Sequence, residues 1–228
     1  MYKIYLFLFF IFFNMGFQVY EREPHFINES FPTLWIKVCE NENTAEFSDN
    51  AFNSLPGGDT LKNSSASVRE TMQNIIDNDF NSISSSYLNI ELYPIDPNNP
   101  HVGSSYTSVV EGQNRILDLC FLSANSGGGA DLWWDGGKIE SCNFYLGQKY
   151  KDDVRNFITL FSHELGHCLG IDHPHDTINS VLSYYRKIEG YRLMVDDRMA
   201  LTYLYPLRDA EKDHEIQDTY GFSCQRRK

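Results

Sequence analysis

An α+β fold is the expectation for this chain of 228 residues, on three observations. Short runs rich in strand formers stand at residues 34–39, 87–93, 116–122 and 138–146. Three helical patterns, at 67–80, 152–170 and 195–205, are interspersed with them. Long stretches rich in Gly, Asn, Ser, Asp and Pro separate the elements. The length fits one domain with short extensions and is enough to bury a sizeable core.

Met1-Tyr2-Lys3 is followed by an apolar run from Ile4 to Phe13 and then Asn14-Met15-Gly16-Phe17-Gln18. One early cation and a short apolar run fit a secretory signal peptide over residues 1–18, with an uncleaved anchor as the alternative; the run is too short to span a bilayer comfortably. Residues 19–30, polar and carrying Pro24, read as a linker. The main domain then spans 31–206. Leu34-Trp35-Ile36-Lys37-Val38-Cys39 is the first strand. Residues 40–66 read as a long surface loop. Ser67 and Glu70 form a capping box for a helix in which Val68, Met72, Ile75, Ile76 and Phe80 recur at helical spacing.

The strand at 87–93 is closed by Pro94, and a loop over 96–113 leads to the strand at 116–122. Gly127-Gly128-Gly129 and Gly136-Gly137 flank a segment that reads as turn-rich. Its Asp131 and Asp135 offer oxygen ligands for a calcium ion, and turn chemistry accounts for the segment equally well. From Lys138 to Leu146 alternation returns, with Ile139, Ser141, Asn143 and Tyr145 on one side and Cys142, Phe144 and Leu146 on the other. The next helix starts near Asp152-Asp153, acids suited to the positive end of a helix dipole. Val154, Phe157, Ile158, Phe161, Leu165, Cys168 and Leu169 form its core stripe. Residues 179–185 read as a tight turn, residues 195–205 as a last helix stopped by Pro206, and 207–228 as a charged tail tethered at most by Cys224.

The helix at 152–170 carries a second face. His163 and His167, one turn apart, overlie each other, and two neutral imidazoles so placed can hold one zinc ion. Glu164 can reach the metal's open side and act as general base on a bound water. Gly170 can adopt the positive φ that stops the helix and turns the chain back, bringing His173 in as a third ligand. Three protein nitrogens leave a fourth position open, the arrangement of a catalytic rather than a structural zinc. His-Glu-x-x-His arises by chance in a chain this long at about one in a hundred, and the added Gly170 and His173 lower that about a thousandfold. His25, His101, His175 and His214 read as solvated loop residues, His175 close enough to border the site. Asp172 and Asp176 either orient a ligand histidine or are surface acids.

The net charge of −12 argues against nucleic acid, whose phosphates need clustered Lys and Arg. Five cysteines, at 39, 120, 142, 168 and 224, leave at least one unpaired. Cys120 with Cys142 and Cys39 with Cys224 are the candidate pairs. Cys168, on the core stripe, reads as a small buried hydrophobe.

His163-Glu164-x-x-His167-x-x-Gly170-x-x-His173 resembles the extended zinc signature of the metzincin metallopeptidases. Gly137-Lys138-Ile139 leading into the preceding strand, and Asp196-Asp197 opening a helix that ends Leu204-Tyr205, resemble the matrixin and serralysin-like branch. The resemblance implies a twisted mixed sheet, an active-site helix, a Met-turn-like loop and a C-terminal helix. It also implies a zinc endopeptidase, monomeric, secreted or held at the cell surface or in the periplasm, with an edge strand along which an extended peptide binds. That strand is expected at 139–146. Where the family has its turn methionine this chain has Leu182, and Tyr184, or Tyr185 in a shifted register, matches the tyrosine that approaches the zinc. Cys39 lacks the arginine and glycine neighbours of a cysteine-switch propeptide and reads as structural. The competing reading is a metzincin-fold protein, weakly active or inactive, that holds a peptide in its cleft.

Overall fold

A computed structural model of the chain describes residues 18–19, 33–38, 40–63, 66–93, 115–119, 127–135, 138–174, 178–184 and 191–207. In chain order the elements are β1 (Gln18–Val19), β2 (Thr33–Val38), α1 (Glu40–Asn43), α2 (Val68–Ile75), β3 (Asn89–Leu92), β4 (Arg115–Leu119), β5 (Gly129–Asp135), β6 (Lys138–Tyr145), α3 (Val154–Cys168), β7 (Ile171–Asp172) and α4 (Val195–Leu204). The fold is α+β. Its main sheet has the order β3-β2-β4-β6-β5, parallel throughout except for β5, which pairs antiparallel with β6. Parallel neighbours need a crossover connection, and α2 lies in the one between β2 and β3.

One sheet face is covered by α2 and α3. Leu34, Ile36 and Val38 of β2, Ile90 and Leu92 of β3, and Cys142 and Phe144 of β6 are buried with Met72, Ile75, Phe157, Phe161 and Leu165 in one core. Ser67 caps α2 as its sequence predicts, its hydroxyl accepting from Glu70 N at 3.3 Å; a π-helical turn, Ile76–Phe80, continues the helix. Asp153 caps α3, accepting from Asn156 N at 3.1 Å.

Four expectations are corrected, together with the expected side of Ile139. Residues 129–135, read as turn-rich, form β5: Ala130, Leu132 and Trp134 pack on the core while Asp131 and Trp133 are exposed, the period of a half-buried strand. Because β5 is the outer strand, β6 is flanked on both sides, and the free edge belongs to 129–135 rather than to 139–146. Within this hairpin Trp133 faces Ser141 but Trp134 faces Ile139. The extra residue, Glu140, is a bulge that turns Ile139 to the buried side with Cys142 and Phe144.

The third correction concerns residues 40–66. Phe47, Ala51, Leu55 and Leu61 are buried, and the Phe47 ring meets Phe157 of α3 edge-on with centroids 5.1 Å apart. Ala51 and Leu61 sit in two 3-10 turns, Ala51–Ser54 and Thr60–Asn63, and the segment covers the start of α3 instead of lying free. Fourth, Cys168 is not a lone hydrophobe. It forms a disulfide with Cys142, with Cα atoms 5.5 Å apart, because the inward face of β6 lies directly beneath the apolar stripe of α3. That excludes a bridge from Cys120 to Cys142. Cys39, Cys120 and Cys224 lie outside the described residues.

β1 pairs antiparallel with β7, Gln18 opposite Asp172 and Val19 opposite Ile171. This short ladder falls at the expected boundary between leader and linker. Among the described residues no helix is long and apolar enough to cross a membrane.

Candidate metal centre

The site is built on the C-terminal half of α3, where every residue from Leu160 to Cys168 is buried. The disulfide fixes the last turn of the helix to β6. The helix stops at Gly170, whose φ of 98° lies in the left-handed region that a side chain disfavours. Tyr205, just after α4, donates its hydroxyl to Leu169 O at 2.8 Å, satisfying a carbonyl that the helix end leaves open. The reversed chain runs through β7 and delivers His173. Asp172 Oδ1 accepts from the His173 backbone N at 2.7 Å, so this acid shapes the backbone at the third histidine. Its distance to the ring, 3.9 Å to Nδ1, is too long for a hydrogen bond.

His163 Nδ1 lies 2.9 Å from Val181 O and His167 Nδ1 lies 2.8 Å from Ile171 O. A carbonyl can only accept, so each Nδ1 carries the proton, and a neutral ring then presents a bare lone pair at Nε2. These two Nε2 atoms and that of His173 form a triangle with sides of 3.1 Å. Lone pairs facing each other at that distance repel unless a cation sits among them. Zinc bound tetrahedrally at about 2.05 Å sets its nitrogens about 3.3 Å apart, close to the observed triangle, so the three residues fit the ion. Burial, and then the neighbouring His163, hold the His167 ring down to about 3, so it is neutral and ready to ligate at physiological pH. Among the described residues this is the one cluster able to hold a metal. Asp131 and Asp135, four residues apart on a strand, are separated by about 13 Å, which removes the basis for a shared calcium ion.

Glu164 is buried beside the triad, 4% exposed. Tyr184 is stacked on His173, with ring centroids 4.1 Å apart and planes 24° apart, and is 60% exposed. Tyr185, His25, His101, His175, Asp176 and His214 lie outside the described residues.

The turn beneath the triad is held by α4. Asp197 accepts from the Ser180 hydroxyl at 2.5 Å, Val181 N at 2.8 Å and Met194 N at 2.9 Å. Burial pushes its carboxyl up to about 6 against the pull of these three donors. A continuous path thus runs from Asp197 through Val181 to the ring of His163. Leu182, in the same turn, is fully buried against Gly166 of α3. A Cβ on that glycine would fall 2.8 Å from Leu182 Cδ1, so a side chain at 166 would have to displace the buried Leu182.

The sequence names the triad, Glu164 and the turn that contains Val181, but not Asp197 as the acceptor that holds that turn, the Val181 carbonyl as partner of His163, or the strand that begins at Gly129. Asp197 had a readable signal: it shares a helix face with Ala200 and Leu201, both buried, at spacings of three and four.

A helix presenting two histidines, a glycine-terminated turn supplying a third, and a mixed sheet with an antiparallel edge define a protein with a three-nitrogen cluster able to hold a metal ion. The family model of matrixin, peptidase M10, matches residues 64–206, and the chain belongs to that family of zinc-dependent metallopeptidases. No curated protein matches the chain. Among solved structures it is similar to the GM1-bound form of the ECX AB5 holotoxin, at 10% identity and a TM-score of 0.41, with 86% of this chain and 81% of that chain covered.

Proposed function

We propose that the protein is a secreted zinc endopeptidase in which Glu164 is the general base. The observation that carries this reading is the convergence of three Nε2 lone pairs at 3.1 Å beside a buried carboxylate. His163, His167 and His173 would hold zinc, which when bound lowers the pKa of its water and polarises the scissile carbonyl. Glu164 takes a proton from the attacking water and passes it to the leaving amine. Tyr184, open to solvent and stacked on His173, would donate its hydroxyl to the developing oxyanion. Leu182 would stand in the Met-turn as a filler of similar bulk. The outer edge of β5 offers main-chain groups to an extended peptide, which would add to the sheet as a further strand.

The disulfide from Cys142 to Cys168 supports the secreted location, because such bonds persist in oxidising compartments. Residues 1–18 would then be the leader, 19–30 a linker, 31–206 the catalytic domain and 207–228 a charged tail, in a monomer.

The test is cleavage of a peptide library by the purified protein with and without a chelator, beside Glu164→Ala. Cleavage that stops on chelation, and a variant that retains stoichiometric zinc but loses at least about 10³-fold in rate, are expected. A variant cleaving at the parental rate overturns the role of Glu164. A parent that retains peptides without cutting them would instead establish the binding protein.

A further inference from the structure

We propose that Gly128 is a positioning residue for Glu164: the start of β5 approaches the carboxylate so closely that only a residue without a side chain keeps the base where it works. This inference rests on Glu164 being the general base.

Successive residues of an extended chain face opposite sides, and Gly128 and Gly129 are each crowded from a different side. A Cβ at Gly128 would fall 2.5 Å from Glu164 Oε1 and 3.0 Å from its Cδ and Cγ. A Cβ at Gly129 would fall 2.5 Å from Cζ and from the hydroxyl oxygen of Tyr145, its cross-strand partner on β6. Ordinary contacts between carbon atoms are about 3.5–4.0 Å, so neither position has room for a methyl group. The main chain at 128–129 is clasped between the Tyr145 ring and the Glu164 side chain.

The two crowded glycines differ in what would yield. Tyr145 is a rigid ring on a paired strand. Glu164 meets Gly128 with the end of a flexible side chain, whose backbone is anchored in α3 two residues before Gly166 and four before the disulfide at Cys168. A side chain at 128 therefore moves the carboxylate and leaves the helix in place. A displacement of about 1 Å at a reacting group costs about 10²-fold in rate. The glycine run is thus accounted for by a close approach to the base rather than by a turn.

The experiment uses the zinc-loaded full chain. Gly128→Ala is expected to retain stoichiometric zinc, to melt within about 3 °C of the parent, to hold KM within about threefold, and to lose kcat by about 10²-fold. In the Glu164→Asp background, where the carboxylate is one methylene shorter, adding Gly128→Ala is expected to cost less than about threefold, a coupling that independent sites do not show. A readout free of catalysis uses the metal-free proteins. There Gly128→Ala lowers the melting temperature of the parent but not of Glu164→Ala, which lacks the contacting side chain. Parental kcat in Gly128→Ala, or equal losses in both backgrounds, overturns the positioning role. Equal melting shifts with and without Glu164 overturn the contact itself. A parent that cleaves nothing instead refutes the base assignment and with it the catalytic consequence, while the melting comparison still decides the contact.

Discussion

Replacing Asp197 with alanine removes the acceptor that holds the turn beneath the triad, and the size of the effect can be worked from its three bonds. Val181 N and Met194 N, at 2.8 and 2.9 Å from Oδ2, lose their partner, whereas the Ser180 hydroxyl can rotate. Left unsatisfied, the buried Val181 N costs about 3 kcal/mol and the part-buried Met194 N about 1 kcal/mol, so the loss is about 4 kcal/mol. For a domain of this size that is about 12 °C in melting temperature. Because Val181 O accepts from His163 Nδ1, zinc affinity should fall about 10–100-fold as well. Asp197→Asn can keep both N–H bonds through its one carbonyl oxygen and should lose far less. A second signature is pH. Burial holds the Asp197 carboxyl at about 6 against 3.8 unfolded, so between those values the folded chain keeps a proton that the unfolded chain releases. Its contribution therefore favours the fold at low pH and fades as pH rises through 6. The deficit of Asp197→Asn relative to the parent should grow by about 2 kcal/mol between pH 7 and pH 4.5; the histidines, present in both proteins, cancel in the difference. Circular dichroism melts and urea titrations of the metal-free proteins measure both effects. An Asp197→Ala protein melting within about 2 °C of the parent would refute the reasoning.

Two further outcomes concern the same scaffold. The Cys142→Ala, Cys168→Ala protein, freed of a bridge spanning a sequence separation of 26, should lose about 3.5 kcal/mol by loop-entropy arithmetic. Reductant should leave the folded parent unchanged, since both cysteines are buried; loss of activity in the native state on mild reduction would contradict this. Leu182→Met, a volume-conserving change, should cost less than about 1.5 kcal/mol and preserve cleavage, while Leu182→Ala, fully buried against Gly166, should cost about 2–5 kcal/mol. Urea unfolding of the pair tests whether bulk or sulfur matters in that turn.

The metal centre was legible because its information is local. Residues 163, 167, 170 and 173 lie within three turns of chain, and helical spacing with one glycine dictates where they go. The caps at Ser67 and Asp153 were readable for the same reason. What escaped depends on which element lies against which. The bridge from Cys142 to Cys168 requires knowing that β6 lies under α3. The edge passed from 139–146 to 129–135 because strand order in the sheet differs from order in the chain. The run Gly127-Gly128-Gly129 signalled a turn by composition and so concealed the alternation of Ala130, Leu132 and Trp134. Ile139 falls on the buried side of β6, against the plain alternation of its sequence, because a bulge at Glu140 is a property of two paired strands.

The sulfur bridge also alters what proteolysis would look like. Residues 142–168 form a covalent ring that contains the 3-10 turn Gln148–Asp152 between β6 and α3. A single cut within that ring, by the protein's own activity or another's, releases no fragment, because the pieces remain joined at sulfur. A nicked chain would migrate as an intact one in electrophoresis without reductant and separate into two bands only with it. Preparations of this protein therefore need both gels before a loss of activity can be assigned to anything other than breakage beside the histidine triad.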